Sequence, residues 1–408
     1  MKKTCLVFLL ALGTACSGKD DGRTVLRLSG WSSMPEEMQL LKDQIAEFET
    51  LYPGIRVQYE PIVGPYMQKI QVLFASGTEP DVFYMDSKEV TRMIYYGVLE
   101  PLDEHLKRAG EDVDDFYENI LAAFRGPKGK LYGLPKGFST LALIYNKEMF
   151  ASAGITRPPE DWPALLRAAE AVRAQGDFPM CLKADMKTIA LFAGLAGGGL
   201  LKENNTLAFQ DRASMSGIKT LLSLFRGENA IARTDTDFGK SWTADAFAAG
   251  DAAMIIEGMW VEPYFATRSP DLKYGIAPVP MMEKRHNIIF TVAYVASARS
   301  KHKREAVDLI RFLTGRQGQA KMVELGLEVP SRKSVVNAGF LKRYPKRAPF
   351  IAADEYASPF GFGVHSNRML EHVDKAAEAV RLGQLPLEKA FARASRKLKR
   401  FYRVEDRP

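Results

Sequence analysis

The stretch LFASGTEPDVFYMDSKEVTRMIYYGVLEPLDEHL, residues 73–106, decides the fold of this chain. Ala75, Ser76, Gly77 and Pro80 are the small and turn-forming residues that end a preceding helical pattern. Val82–Met85 follows as an apolar run too short for a helix and suited to a strand buried on both faces. Asp86 and Ser87 stand directly at its C-terminal end. In open α/β sheets ligands bind outside the carboxyl ends of strands, so Asp86 is a hydrogen-bonding acid where a crevice is expected. The plainer alternative for both residues is that they cap the next helix.

Working outward, strand and helix patterns alternate. Val25–Leu28 reads as a strand ending in Ser29-Gly30-Trp31, and Ser33 with Glu36 has capping-box spacing, Pro35 being tolerated in the first turn. Leu41, Ile45 and Phe48 recur at helical spacing until Pro53-Gly54, and Ile55, Val57 and Tyr59 alternate as a second strand. A helix around Tyr66–Ala75 then leads to the strand before Asp86, and this β-α-β-α-β order predicts a parallel sheet covered by helices. A second unit begins near residue 140, with a strand at Leu141–Tyr145 and a short helix from Asn146 to Phe150. Asp161 is placed to cap a helix over Pro163–Gln175. Further strands are expected at Ala252–Ile256, Tyr274–Val279 and Val292–Ser297, followed by an amphipathic helix at Lys303–Thr314 and closing helices near 366–382 and 386–402. A chain of 408 residues exceeds one comfortable core, so two domains are expected.

Composition is that of a soluble globular protein, with 46% hydrophobic and 26% charged residues and no low-complexity block. The N-terminus differs. Lys2 and Lys3 precede the apolar run Cys5–Leu12, which reads as a secretion signal and is too short to span a membrane. Gly13, Thr14 and Ala15 lead into Cys16 and the polar stretch Ser17–Arg23, resembling a bacterial lipoprotein processing site in which Cys16 is lipidated; Gly13 departs from that pattern. Ordinary signal cleavage is the alternative. Loss of Cys5 and lipidation of Cys16 leave Cys181 alone, without a disulfide partner. The formal charge is +7, and the basic runs Lys342–Arg347 and Arg393–Arg400 read as solvated faces rather than a nucleic-acid surface.

Catalytic constellations are poor. The five histidines lack metal-ligand spacing, and neither a nucleophile elbow nor a zinc-protease motif is present. Gly239-Lys240-Ser241 ends like a phosphate loop, but Thr234 replaces its first glycine. Asp235 and Asp237 begin like a calcium loop, yet Lys240 and Ala246 occupy the positions that need glycine and a bidentate glutamate. No metal, cofactor or catalytic residue is expected. A small-molecule cleft that binds without catalysis needs aromatic faces and a few fixed polar groups instead. Trp260 follows the strand Ala252–Ile256 across Glu257-Gly258-Met259, and Trp31 with Ser32 lies between a strand and its helix, so both loops suit that chemistry. Trp162, at a helix start, is read as packing.

Five pieces in one order carry a resemblance: AEFETLYPGIRV (46–57), GTEPDVFYMDS (77–87), YGLPKGFSTLALIYNKEMF (132–150), AFAAGDAAMIIEGMW (246–260) and SKHKREAVDLIRFLTG (300–315). The chain resembles, over roughly residues 24–400, the extracellular solute-binding proteins of ABC importers, in the sugar-binding family that includes maltose-binding protein. The resemblance implies an α/β, two-lobed periplasmic-binding-protein fold of type II, each lobe a central sheet flanked by helices, with the ligand cleft between. Beyond the signal peptide at 1–15 and the lipid-anchored linker at 16–23 already read from the N-terminus, it implies a first lobe of 24–135 plus 287–332, and a second of 140–284 plus 345–408. Hinges would lie near 136–139, 285–289 and 333–344. The implied ligand contacts are Trp31, Ser32, Asp86, Ser87, Phe138, Ser139, Asp185, Glu257, Trp260 and Tyr294. The segment NIIFTVAY (287–294) lacks a glycine pair frequent in relatives, which bears on Tyr294. The implied function is an exported, monomeric receptor, tethered through Cys16, that delivers a mono- or oligosaccharide to the membrane subunits of an ABC permease. A solute sensor and a secreted glycosidase are the competing readings.

Overall fold

The computed structural model describes residues 22–32, 34–202, 204–228, 230–326 and 328–402. The expected signal segment, Cys16 and the capping residue Ser33 lie outside the described residues. No helix among the described residues is long and apolar enough to cross a membrane. The fold is a mixed α/β architecture of two sheets flanked by helices, built in the order the sequence pattern suggests.

The first sheet forms around Thr24–Trp31 (β1), Ile55–Ile62 (β2) and Val82–Asp86 (β3), joined by the helices Pro35–Leu51 (α1) and Tyr66–Ser76 (α2). β1 runs parallel to β2 from Thr24–Ile55 to Trp31–Ile62, and parallel to β3 at Leu28–Val82. Leu26, Leu28, Val82 and Phe83 are fully buried, and α1 covers them with Leu41, Ile45 and Phe48. Gly77 ends α2 at φ 68°, a left-handed cap that glycine adopts without strain. The helix Ser87–Tyr95 (α3) starts immediately after β3. α1 opens at Pro35 with Met34 in the cap position.

Three strands join this sheet from far along the chain, so it is not purely parallel. Gly133–Ser139 (β4) escapes the sequence pattern because Gly133, Pro135 and Gly137 all disfavour a strand. Its partner, Asn287–Ala296 (β10), starts five residues before the expected Val292 and pairs antiparallel with both β3 and β4. The β4 register slips between Gly137–Val292 and Pro135–Ala293, leaving Lys136 as the bulged residue. The short Ala357–Pro359 (β11) adds parallel to the start of β10.

The second sheet has the order β7-β6-β8-β5-β9, from Leu141–Asn146 (β5), Met180–Cys181 (β6), Ala232–Arg233 (β7), Met254–Gly258 (β8) and Tyr274–Ala277 (β9). Asp161 caps the helix Trp162–Ala174 by accepting from Ala164 N, and Trp162 packs edge-on to Phe192 at 5.4 Å within that lobe's core. The closing helices, Ser366–Arg381 and Leu387–Leu398, pack their buried residues into the same core.

Thr140 alone separates β4 from β5, so the stretch 136–139 lies inside a strand and the crossing is one residue long. Asn287 lashes the two sheets together there: its side chain accepts from Leu141 N at 2.9 Å and donates to Leu141 O at 2.8 Å. A third passage brings Val329 beside Phe138, exchanging two backbone hydrogen bonds.

Candidate binding cleft

A cavity of about 170 Å³ opens where the carboxyl ends of β1, β3 and β8 meet the crossing strands. Trp31 and Asp86 reach it from the first sheet and Trp260 from the second, with Phe138, Ser139 and Phe290 at the crossings. Larger hollows exist, such as one of about 510 Å³ beside Pro158 and Arg167, but that one has no aromatic wall and belongs to a single lobe.

Both tryptophans are held from behind. Trp31 ends β1 and meets Tyr66 and Tyr84 edge-on at 5.4 and 5.0 Å. Gly30 permits this, since a Cβ there would lie 2.7 Å from the Tyr84 ring. Trp260 meets Phe290 edge-on at 5.4 Å, and its ring folds back over Gly258, where a Cβ would come within 2.3 Å of it. Its Nε1 donates to Glu257 Oε2 at 3.2 Å. Glu257 is only 2% exposed and also accepts from Lys187 and Thr243, so its carboxylate positions Trp260.

The remaining expected contacts divide. Asp86 borders the cavity and also caps α3, accepting from Lys88 N at 2.9 Å and pairing with Lys88 Nζ at 3.2 Å. Phe138 borders it too, packed among Ile120, Ala142, Met259 and Ile289. The Ser139 hydroxyl donates to Thr140 O and accepts from Met259 N at 2.8 Å, pinning the loop that carries Trp260. Four of these stand outside the lining, as Glu257 does. Ser32 is exposed, with its hydroxyl 3.7 Å from Met38 Sδ. Ser87 is buried and donates to Phe360 O at 3.1 Å. Asp185 makes a capping box with Thr188. Tyr294 is buried edge-on to Tyr84, its hydroxyl pKa pushed up to about 12 chiefly by burial.

The sequence pattern missed a charged cluster at this cavity. The bulge of β4 aims Lys136 inward, where Nζ meets Glu37 Oε1 at 2.5 Å and Glu328 Oε1 at 3.0 Å, 5.1 Å from the Tyr84 ring centre. The Lys136 side chain is 4% exposed. Burial alone would lower its pKa; the charges of Glu328 and Glu37 outweigh that and raise it. Burial raises the Glu328 carboxyl above its ordinary value. Glu328 Oε2 is buried without a hydrogen-bond partner. Glu37 and Glu328 both border the cavity. A lysine between proline and glycine inside an otherwise buried strand is the one local signal that could have flagged this group.

Other candidates have in-chain explanations. Asp235 pairs with Lys183 at 2.9 Å and Asp237 with Arg381 at 3.2 Å, closing a polar turn. Among the described residues no group of three histidine, cysteine or acidic side chains is arranged to hold a metal ion.

The family of bacterial extracellular solute-binding proteins matches residues 31–320. The galactooligosaccharide-binding protein of Bacillus subtilis (strain 168) is 24% identical over 416 residues, covering 97% of this chain and 96% of that protein. Among solved structures, the ABC substrate-binding protein Lmo0181 of Listeria monocytogenes in complex with cycloalternan superposes with a TM-score of 0.83 at 21% identity, covering 93% of this chain and 99% of that one. The GacH receptor of Streptomyces glaucescens, solved unliganded and with acarbose, gives 0.81 at 23% identity, covering 93% and 98%.

Proposed function

The chain belongs to the family of bacterial extracellular solute-binding proteins, and from that premise we propose that it is the sugar-capturing receptor of an ABC importer. The observation that carries the reading is the pair Trp31 and Trp260, delivered by different sheets to one cavity that also holds carboxylate acceptors. Aromatic faces suit the C–H faces of a sugar ring, and carboxylates suit its hydroxyls. The full-length likeness to a galactooligosaccharide-binding protein and the folds solved with cycloalternan and acarbose support a carbohydrate ligand. A cavity of about 150 Å³ accepts one benzene ring, so this open cavity of about 170 Å³ has room for one sugar ring, free or terminal.

The mechanism is hinge closure, for which periplasmic binding proteins are the type example. Ligand touches both lobes in the closed form and shifts an existing equilibrium; a tenfold shift requires about 1.4 kcal/mol of differential affinity. One aromatic contact with one buried hydrogen bond is of that size. Cys16 would tether the exported receptor beside its permease, and binding proceeds without catalysis.

Thermal unfolding against a panel of mono- and oligosaccharides tests the reading, because a ligand bound only by the folded state raises the melting temperature. A panel without one stabilising sugar overturns it, and turnover of the bound sugar overturns the non-catalytic assignment. Recovery of the processed protein in the soluble fraction of a lipoprotein-processing host overturns the tether.

A further inference from the structure

The cleft carries a second layer of information in its charges. Two helices present their N-terminal turns beside the cavity, the ends at which backbone N–H groups and the helix dipole ordinarily favour an anion. Both turns are already supplied with a carboxylate from this chain: Glu37 sits in the first turn of α1, and Asp86 caps α3. Glu328 adds a third carboxylate to the lining, and its Oε2 is buried with no donor. No described residue of the lining carries a positive charge. The ammonium nearest the cluster, Lys136, is spent between Glu37 and Glu328, and Lys88 is paired with Asp86.

A phosphate or carboxylate on a ligand needs charge-assisted donors, best of all a guanidinium, an ammonium or free helix N–H groups. Here the ammoniums of Lys136 and Lys88 are engaged by acids of the chain and Asp86 accepts from the first turn of α3, so a bound anion would stand against three carboxylates that two ammoniums offset only in part. Like charges brought close at low local dielectric repel by kilocalories per mole, and salt screens such buried pairs only weakly. The unpartnered Glu328 oxygen asks for the opposite: a hydroxyl or an ammonium that donates to it. Trp31 and Trp260 accept either a neutral sugar face or a cation.

Resting on the sugar-binding reading above, we propose that the cleft selects its ligand by charge, admitting neutral and amine-bearing sugars and excluding phosphorylated and carboxylated ones. Glu328, Glu37 and Lys136 are the specificity-determining residues. Their arrangement needs the β4 bulge that turns Lys136 inward and the glycine at 137, where a Cβ would lie 2.3 Å from Glu328 Oε2.

The test is calorimetric titration of the purified protein with glucose, galactose, their 6-phosphates and glucosamine, after the wider sugar panel. Binding of a neutral hexose at least tenfold tighter than its 6-phosphate, with glucosamine retained, is the expected result. A 6-phosphate that binds as tightly as its parent overturns the charge selection and leaves the sugar reading intact. Failure of every panel sugar, charged or neutral, overturns the sugar reading and this inference with it. Charge is separated from bulk by Glu328→Gln: the penalty against the 6-phosphate shrinks severalfold if charge sets it. A penalty unchanged in both Glu328→Gln and Glu37→Gln assigns it to bulk and overturns the proposal; the second variant guards against misfolding of the first.

Discussion

The indole Nε1 of Trp260 donates to Glu257 Oε2 at 3.2 Å, while the other oxygen of that carboxylate accepts from Lys187 Nζ at 2.8 Å and Thr243 Oγ1 at 2.6 Å. The ring is therefore oriented before any ligand arrives, lying over the bare Cα of Gly258. Such pre-organisation lowers the ordering cost of binding. Trp260→Ala is expected to weaken the best panel sugar at least tenfold, since a lost aromatic face costs about 0.5–1.5 kcal/mol beyond its buried area. Gly258→Ala should do likewise by driving the ring off its seat, with a changed tryptophan emission as its signature. Titrations that find either variant as tight as the parent remove Trp260 from the site.

Lys136 holds Glu37 and Glu328 together in a nearly dry space, so its removal leaves two acids facing each other. Breaking a buried ion pair by deleting one partner costs about 3–5 kcal/mol. Lys136→Met should accordingly lower stability by that order in denaturant titration, and Lys136→Met combined with Glu328→Gln should regain part of the loss. Loss of less than about 1 kcal/mol in the single variant would mean that the cluster is open to water.

How far this cluster was legible follows from its construction. α1 and β2 show in the sequence because each buries one regular face, Leu41, Ile45 and Phe48 keeping helical spacing in α1, and β3 shows as a short apolar run buried on both faces. β4 does not show, because its glycines and proline serve a bulge and a close approach rather than a regular strand. Lys136 and Glu37 are 99 residues apart, and Glu328 reaches them from a third passage of the chain, so no local pattern relates them. Asp86 and Ser87 are neighbours with the same sequence credentials, yet one borders the cavity while the other turns to Phe360. Direction at a strand end is set by tertiary contact, and sequence spacing does not encode it.

Cys181 lies fully buried in β6, and burial, reinforced by Asp235 and Glu257, pushes its thiol up to about 12. A thiol held neutral and out of reach is inert, because the thiolate is the reactive form. In the Cys5→Ala, Cys16→Ala protein, a thiol reagent should label nothing in native buffer at pH 8 and one equivalent after denaturation. Rapid labelling of the native protein would contradict this burial.

His286 packs over Gly194, where a Cβ would come within 1.9 Å of its ring, and burial together with Lys284 lowers its pKa to about 4. The unfolded chain takes up this proton near pH 6.5, the ordinary histidine value, whereas the folded protein resists it until about pH 4. The unfolded state thus binds more protons within that window, and stability contributed by neutral His286 is intact above pH 6.5 and lost as pH falls toward 4. Asp354 and Asp374, whose carboxyls burial pushes up to about 6, act with the opposite sign, so only the difference between variant and parent reports on the histidine. His286→Gln should therefore flatten the decline of melting temperature between pH 6.5 and 4, whatever its effect at pH 7. Parallel curves for parent and variant across that range would show that the ring is protonated as readily folded as unfolded.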